Sequence, residues 1–302
     1  MQVPGSIVAG YDGSPDSAAA VRWAAHHAQL RNLPLHVVHC SIWPLLTNNL
    51  GPIPGVADSG LERSAEAILE EGFNQAKAAA PELDIQCTLL HGLPASHLAQ
   101  ISARQQMVVV GSRGLGGFLG LLVGSVSLEL SATASCPVAV IRSGLHPDGP
   151  VVAAVDESGS PAALRDACTA ASASRSRLAV VHVRHKAAGY LYIRNSSEAE
   201  ASAEAVLRAA VETARSLAPA VDVEGRLTAD VSVAHGILDA AHDAALLVVG
   251  SHGRGLVRET IGSTAHAVLH HARGPVLVSR HGSGSNGVRA RRLDRQRAGL
   301  DR

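Results

Sequence analysis

Residues 108–127, VVVGSRGLGGFLGLLVGSVS, join an apolar strand to the start of a helix through a loop rich in glycine. Glycine loses more conformational entropy on folding than any other residue, so this run indicates that something approaches the main chain closely. A loop without side chains that leads into a helix presents backbone N–H groups and the positive end of the helix dipole, and both favour an anion such as phosphate. Ser125 and Ser127 could add hydroxyl donors from the first turn of that helix.

The chain contains one ordered set of segments twice. SIVAGYDGSPDSAAAVRWAA at 6–25 corresponds to VVAAVDESGSPAALRDAC at 151–168, so that Asp12 matches Asp156. The other pairs are LPLHVVHC at 33–40 with SRLAVVHV at 176–183, QMVVVGSRG at 106–114 with ALLVVGSHG at 245–253, and CPVAVIR at 136–142 with GPVLVSR at 274–280. Because the order is preserved, we interpret the chain as a tandem duplication of one unit.

The domain organisation follows from this duplication. We expect a first domain at 1–145, a second at 146–281 and a disordered basic tail at 282–302, which opens with Gly and Ser and carries six arginines. Four widely separated cysteines without a CxxC pair are typical of reduced core thiols. With no signal-peptide pattern and no apolar run of membrane-spanning length, we expect a cytoplasmic protein without a membrane partner. Aromatic residues make up 2% of the chain, which argues against nucleic acid as a partner.

The predicted fold class is α/β. Short Val-rich runs alternate with longer Ala-rich segments, and the runs are apolar on successive residues, as in parallel strands covered by helices on both faces. Each half is therefore predicted to be an open parallel-sheet sandwich. Ser14 and Pro15 supply a cap and a first-turn proline for the first helix.

Two strand ends carry the distinctive residues of the first half. In open α/β sheets, ligands bind beyond the carboxyl ends of the strands, where Asp12 and the glycine loop are both expected. A carboxylate there suits a ribose hydroxyl, so the arrangement predicts a bound nucleotide. The loop lacks the Gly-Lys-Ser/Thr ending of a Walker A motif and does not fit GxGxxG. Two plainer interpretations stay open: the glycines serve only tight packing, and Asp12 only caps the first helix.

The spacing Gly111-x2-Gly114-x9-Gly124-Ser125, together with AGYDGSPDS, HGLPASHLAQ and CPVAVIR, resembles the universal stress protein family in its tandem two-domain form. The resemblance implies an adenine nucleotide α-hydrolase-like fold with strand order 3-2-1-4-5. It also implies ATP as the bound nucleotide, with Mg²⁺ as a further candidate. The nucleotide-binding positions that it implies in the first half are Gly10, Asp12, Val38, Val110, Gly111, Arg113, Gly114, Gly124, Ser125, Val126 and Ser127.

The second half departs from this pattern. The positions implied there are Asp156, Val181, Gly250, Gly253, Gly262, Ser263 and Thr264. Gly253 and Gly262 are one residue closer than their counterparts, and the loop carries Arg258 and Glu259 where the first loop is apolar. Glu259 would repel a phosphate. We expect this site to bind a nucleotide as well, although the shorter loop alters which N–H groups point inward.

The sequence offers no metal site and no catalytic residue. His266, His270 and His271 share one predicted helix, but no Glu, Asp or Cys accompanies them at a recognised ligand spacing. We interpret them, and likewise His26–His27 and the pair His36 and His39, as solvated histidines. The chain has no GxSxG elbow and no general base beside the glycine loop, so it is expected not to be an enzyme, with slow ATP hydrolysis at most.

The favoured function is that of an ATP-binding regulatory protein of the stress response, in which nucleotide occupancy changes the conformation or the choice of a regulatory protein partner. The alternatives are a slow ATPase or nucleotide-activating enzyme and a nucleotide-free dimeric scaffold. In the family, the closing strands mediate domain and subunit association, so a homodimer through exposed edge strands at 136–142 and 274–280 is expected. The Pro/Gly-rich loop at 41–60 is a candidate lid or docking site.

Overall fold

The computed structural model describes residues 5–42, 60–114, 123–142, 144, 146–186, 196–251 and 260–280. The strands are β1 (Ile7–Gly10), β2 (Leu35–Ser41), β3 (Ile85–His91), β4 (Met107–Gly111), β5 (Val138–Ile141), β6 (Val151–Val155), β7 (Leu178–His185), β8 (Val223–Asp230), β9 (Leu246–Gly250) and β10 (Val276–Ser279). The helices within these ranges are α1 (Pro15–Leu30), α2 (Gly60–Ala79), α3 (Pro94–Ser102), α4 (Ser125–Thr133), α5 (Pro161–Ser174), α6 (Ser196–Leu217), α7 (Val233–Ala240) and α8 (Ser263–His271).

Four expectations concern residues outside these ranges. They are most of the candidate lid, at 43–59, the apolar part of the first glycine loop at 115–122, the second loop at 252–259 with Gly253, and the basic tail.

The strands form a single ten-stranded sheet in the order β3-β2-β1-β4-β5-β10-β9-β6-β7-β8. Each half keeps the predicted order 3-2-1-4-5, and all pairs within a half are parallel. The α/β class and the strand order are therefore confirmed. The two sheets, however, are fused into one, because β5 pairs antiparallel with β10, with Ala139 opposite Leu277.

The closing strands are not exposed edges, so this part of the prediction is wrong. β5 is hydrogen-bonded to β4 on one side and to β10 on the other, while β10 lies between β5 and β9. Since both sides of each strand are already paired, a homodimer cannot form by strand pairing at 136–142 or 274–280. The outermost strands are β3 and β8, whose residues are mostly half-buried or exposed.

Two hydrophobic layers hold the sheet between helices. Ile7, Ala9 and Val109 pack into one layer with α1, α2, α5 and α6, whereas Val8 and Val108 pack into the other with α3, α4, α7 and α8. The alternation follows from the strand geometry, in which successive side chains point to opposite faces. Each layer contains residues of both halves, so the core is continuous across the junction.

Helix α1 shows how the sequence brings the strand end and the helix start together. Ser14 is its N-cap, and its hydroxyl oxygen accepts a hydrogen bond from the N–H of Ser17 at 3.2 Å. Pro15 follows in the first turn, as predicted. The buried face of the helix is largely alanine, and these small side chains let α1 lie close to the sheet. Within the described ranges, none of the helices has the length and apolar composition that a membrane crossing requires.

Two arginines cross between the halves at equivalent positions. Arg142, just after β5, donates to the carbonyl oxygen of Leu269 in α8. Arg280, just after β10, donates to the carbonyl oxygen of Ser131 in α4 at 3.0 Å. Each guanidinium thus binds the last turns of the opposite half's helix, where carbonyl groups lack a helical partner.

The four cysteines are free thiols. Cys136 and Cys168 are buried and Cys40 is half-buried, as expected for core positions. Cys87 is exposed because it lies on the outermost strand β3, so the core interpretation is wrong for this residue.

Candidate functional site

The carboxyl ends of β1 and β4 meet at one edge of the sheet, which is the position of the ligand cleft predicted for the first half. The two strands are parallel neighbours, with Ile7 opposite Met107, so the segments that follow Gly10 and Gly111 leave the sheet at the same edge. Asp12 and Gly114 lie in direct proximity there, because a Cβ atom built on Gly114 would overlap Oδ2 of Asp12. A side chain at position 114 would therefore displace the carboxylate.

Asp12 is partly engaged by its own turn. Its Oδ1 accepts a hydrogen bond from the N–H of Ser14 at 3.0 Å, and its N–H donates to the hydroxyl oxygen of Ser17 at 3.3 Å. The N-cap of α1 is Ser14, not Asp12, so the helix-capping interpretation of Asp12 is wrong in its simple form. The carboxylate instead stabilises the turn while Oδ2 faces the glycine loop.

The end of β4 is fastened to the first turn of α1. A Cβ atom on Gly111 would lie 2.7 Å from the carbonyl carbon of Asp16, so glycine is required for this approach. Buried Ser112 donates its hydroxyl to Oδ2 of Asp16 at 2.7 Å. The same carboxylate oxygen lies 3.6 Å from Nε of Arg113, whose side chain is 58% exposed. Arg113 is therefore tethered at the rim of the cleft with most of its side chain accessible.

Helix α4 begins directly against this loop. The N–H of Gly124 donates to the carbonyl of Ser112 at 2.7 Å, and Gly124 is the N-cap residue. Among the described residues, no side chain caps this end. The N–H groups of Ser125 and Val126 lie in the first turn, where the helix itself provides no acceptor. This end of α4 therefore carries the partial positive charge of the helix dipole at the cleft.

Ser127 differs from the expectation. It is only 2% exposed, and its hydroxyl donates to the carbonyl of Gly111 at 2.8 Å. Its donor hydrogen is thus used inside the protein, where it holds α4 against the end of β4. Ser125 is exposed, so it is the first-turn hydroxyl that a ligand could reach.

The two valines predicted to line an adenine slot lie beneath the cleft. Val38 is 1% exposed and Val110 is 4% exposed, and both belong to the hydrophobic layer that contains α3 and α4. The carbonyl of Val38 accepts the N–H of Tyr11 at 2.9 Å. Gly10 is close-packed beside them, since a Cβ atom there would lie 3.3 Å from Val110. These positions form a buried apolar floor.

His39 is buried, so its interpretation as a solvated histidine is wrong, and His182 is buried at the equivalent position of the second half. Nδ1 of His39 lies 2.8 Å from the carbonyl oxygen of Tyr11, and Nδ1 of His182 lies 2.8 Å from that of Val155. Because a carbonyl can only accept, Nδ1 carries the proton in each ring. Both bonds fix the main chain immediately before the strand-end aspartate. The recurrence of His in LHVVHC and LAVVHV was the signal that could have revealed them.

His36 is also buried, in β2, and its Nε2 lies 2.8 Å from the hydroxyl oxygen of Thr88. Burial lowers the pKa of His36, so its ring is neutral near pH 7. On α8, His266 is exposed and its ring lies tilted by 40° against that of His270, at a centroid distance of 4.5 Å. Over the described ranges, no group of three His, Cys, Asp or Glu side chains is placed to hold a metal ion.

The second half repeats the geometry with a different strand-end loop. The N–H of Gly262, the N-cap of α8, donates to the carbonyl of Ser251 at 2.8 Å, as Gly124 does to Ser112. Val181 is buried beneath this edge, and Gly250 ends β9. Ser263 is exposed and Thr264 is half-buried in the first turn of α8.

Asp156 is held by several hydrogen bonds from its own loop. Its Oδ1 accepts the N–H of Ser158 at 2.9 Å and the hydroxyls of both Ser158 and Ser160. Burial raises the pKa of Asp156, but these hydrogen bonds from Ser158 and Ser160 outweigh it and the pKa is lowered overall. Gly159 and Ser160 have positive φ angles of 76° and 43°, which fold the loop back onto the carboxylate.

These features define a doubled α/β protein with a candidate ligand site, built largely from main chain, at the carboxyl edge of its strands. The model of the universal stress protein family matches residues 5–142 and 149–280. A universal stress protein of Mycobacterium tuberculosis strain H37Rv is 34% identical over 293 residues, which covers 91% of this chain and 96% of that protein. The chain therefore belongs to the universal stress protein family, with two tandem domains of that type.

Solved structures support the fold. The crystal structure of a universal stress protein from Archaeoglobus fulgidus DSM 4304 matches with a TM-score of 0.67 and 21% identity, over 92% of this chain and 97% of that one. A universal stress protein solved in complex with cAMP is 26% identical and covers 46% of this chain and 96% of that chain. Its TM-score is 0.35, so it supports no ligand assignment for this chain.

Proposed function

We propose that the first-half cleft binds an adenine nucleotide, ATP by the family resemblance, and that its occupancy regulates the conformation or the partner choice of a stress-response protein. The observation that carries this proposal is the placement of the Asp12 carboxylate beside Gly114, at the same rim as the N-terminus of α4. A nucleotide needs a hydroxyl acceptor and an anion site a short distance apart, and this rim offers both.

The phosphate end would lie on the main chain of Gly111–Gly114 and the first turn of α4. Backbone N–H groups and the helix dipole favour negative charge there. Gly114 fits this role because a side chain would fill the space beside Asp12. Arg113 would add positive charge from the rim, since its side chain is mostly exposed. Mg²⁺, where present, would be held chiefly by the phosphates, as is usual for this ion.

Asp12 would accept the hydrogen bond of a ribose hydroxyl. Oδ1 already binds the N–H of Ser14, which fixes the orientation of the carboxylate before a ligand arrives. A pre-oriented acceptor gives more affinity than a mobile one, because less side-chain entropy is lost on binding.

The second cleft would bind the nucleotide more weakly. Its domain, which we assign to residues 146–281, repeats the N-cap contact of Gly262, but Oδ1 of Asp156 accepts three hydrogen bonds from Ser158 and Ser160. A ribose hydroxyl would have to compete with these donors. We assign the first cleft to residues 1–145 and expect it to be the tighter of the two.

The proposal favours regulation over catalysis. The groups at the first cleft bind and orient a nucleotide, whereas the carboxylate of Asp16, in the first turn of α1, is occupied by Ser112 and Arg113. Hydrolysis would lack a free general base among these groups, so it would be slow at most. The nucleotide state would then be read by a protein partner.

The test is nucleotide binding by a Gly114→Val variant, with Gly60→Val as the matched control. A Cβ at Gly60 meets nothing within 4 Å, whereas one at Gly114 overlaps Asp12. We expect calorimetry to show ATP binding lost in the first variant and retained in the second. Mass spectrometry of small molecules released from the denatured wild-type protein should identify an adenine nucleotide. Unchanged ATP affinity in Gly114→Val would refute the assignment of the cleft.

A further inference from the structure

A cavity of about 330 Å³ lies at the junction of the two halves. It is on the sheet face covered by α1 and α5, which contact each other there. Gln106 and Met107, at the beginning of β4, line it, whereas the first-half cleft lies beyond the other end of β4 at Gly111. The cavity is therefore separate from the cleft proposed to bind the nucleotide. Its size falls within the range of about 300–1,000 Å³ of small-molecule sites.

The cavity has an excess of positive charge. Its charged lining residues are Arg31, Arg165, Asp166 and Arg280. Arg31 follows α1 in the first half, whereas Arg165 in α5 and Arg280 after β10 belong to the second. Three guanidinium groups face one carboxylate. His27 adds no charge near pH 7, because burial, with lesser effects of His26 and Arg31, lowers its pKa to about 3.

Arg31 and Arg165 are the arginines of the cavity whose guanidinium groups lie away from the described carboxylates. Within the described part of the chain, no carboxylate lies within 4.0 Å of the guanidinium groups of Arg31 or Arg165. Arg280 donates from Nη1 to the carbonyl of Ser131 and adds positive charge to the lining of the cavity. Burial lowers the pKa of Arg31 and of Arg280, so their charged forms have lost solvation. A bound anion would offset the energetic cost of that lost solvation.

The remaining surface suits an organic molecule. Met107, Leu246 and Leu277 contribute buried apolar side chains to the lining. Trp23 stacks on His27 with ring centroids 3.7 Å apart and forms a flat wall beside them. A site with an apolar floor and a few convergent charged groups is typical of a small-molecule pocket.

We propose that this cavity binds a small organic anion with at least two oxyanion groups, carboxylate or phosphate, held by Arg31 and Arg165, while Arg280 adds positive charge to the lining. Guanidinium groups bind such oxygens in pairs through parallel N–H donors. Since the arginines come from both halves, the ligand bridges the two domains and stabilises their arrangement.

Titration calorimetry with citrate and, separately, pyrophosphate tests the proposal. At constant ionic strength, we expect one molecule of at least one anion to bind per chain, and the better of the two identifies carboxylate or phosphate as the recognised group. An Arg31→Gln/Arg165→Gln double variant should bind that anion roughly a hundred-fold more weakly, about ten-fold for each lost charged hydrogen bond. The matched control is Arg63→Gln/Arg208→Gln, which removes two exposed helix arginines and should bind as the wild type does.

Two further measurements separate this site from the nucleotide cleft. The Arg31→Gln/Arg165→Gln variant should retain its circular dichroism spectrum and its ATP affinity, and Gly114→Val should retain the anion site. Absence of binding by both anions would overturn the proposal. It would equally be overturned by anion binding that survives in Arg31→Gln/Arg165→Gln, or that is lost in Gly114→Val or in the arginine control.

Discussion

At the residue scale, His39 and His182 fix the main chain next to the strand-end aspartates Asp12 and Asp156. Each imidazole donates from Nδ1 to the carbonyl of the residue before the aspartate, and each is buried. A buried carbonyl that loses its donor costs its full desolvation energy, which exceeds the net gain of an average hydrogen bond. The two histidines therefore stabilise both the fold and the position of the candidate ribose acceptor.

Replacing His39 with Leu should lower the free energy of unfolding by about 2 kcal/mol, because it leaves the Tyr11 carbonyl buried without that donor. The matched control is His26→Leu, since His26 is exposed on α1 and its loss should change stability by about 0.5 kcal/mol or less. Urea denaturation monitored by circular dichroism measures both. Equal midpoints for the two variants would mean that the His39 bond contributes little.

Which residues reach the rim could be predicted from the sequence, but which hydroxyls stay accessible could not. Asp12, Gly114 and Ser125 follow strand ends or start a helix, and the sheet rule places such positions at one edge. Ser127 sits two residues beyond Ser125 and has the same chemistry. Only the packing of α4 on the end of β4 turns its hydroxyl inward to Gly111. That choice depends on tertiary contacts that no local pattern encodes.

At the element scale, helix α4 has two serines with separate expected roles. Ser127→Ala should lower the free energy of unfolding by about 1 kcal/mol, since it removes the donor to the Gly111 carbonyl. Ser125→Ala should leave stability within about 0.5 kcal/mol of wild type, because the side chain is exposed. It should instead weaken ATP binding about ten-fold, the effect of one hydrogen bond to a charged group.

Denaturation and ATP calorimetry on the same two preparations check this division of roles. Each serine serves as the control for the other, because the chemical change is identical and the two positions lie in one helical turn. If Ser125→Ala bound ATP as well as the wild type does, the first-turn hydroxyl would have no part in phosphate binding.

The strand order was predictable through the resemblance to the universal stress protein family, and the repeat of four segments extended that order to both halves. The two segments of each pair take equivalent positions in the two halves of the sheet, so the position of one segment also gives the position of the other. The conformations of the loops between the segments could not be predicted in this way, because the loops differ in length between the two halves. The segment between Asp156 and α5 holds two more residues than the segment between Asp12 and α1, and it folds Ser158 and Ser160 onto Asp156.

At the scale of the whole molecule, the antiparallel pairing of β5 with β10 makes one sheet from two halves. The sequence pattern of an apolar closing strand is the same whether its free side meets solvent, another chain or the same chain. The pairing is therefore decided by the relative placement of the halves, which brings Arg142 to α8 and Arg280 to α4. No pattern within either half contains that information.

The crossed arginines should govern how readily the two halves separate. Each donates a charged hydrogen bond to a helix-end carbonyl of the opposite half, worth about 1.5–3 kcal/mol. Burial lowers the pKa of Arg142 and of Arg280, so part of this gain offsets the cost of burying the charge. Replacing both with Met keeps much of the side-chain volume and removes the donors.

In Arg142→Met/Arg280→Met, opening between β5 and β10 should become easier by a net amount of about 1.4 kcal/mol or more. Hydrogen exchange of the amides that pair Val138–Val140 with Val276–Val278 should then accelerate at least about ten-fold. Amides of β1 and β2, which pair within the first half, should keep most of their protection and serve as the internal reference. Equal acceleration at both places would indicate global destabilisation, and no acceleration would mean that the strand pairing and the shared hydrophobic layers hold the halves together without the arginines.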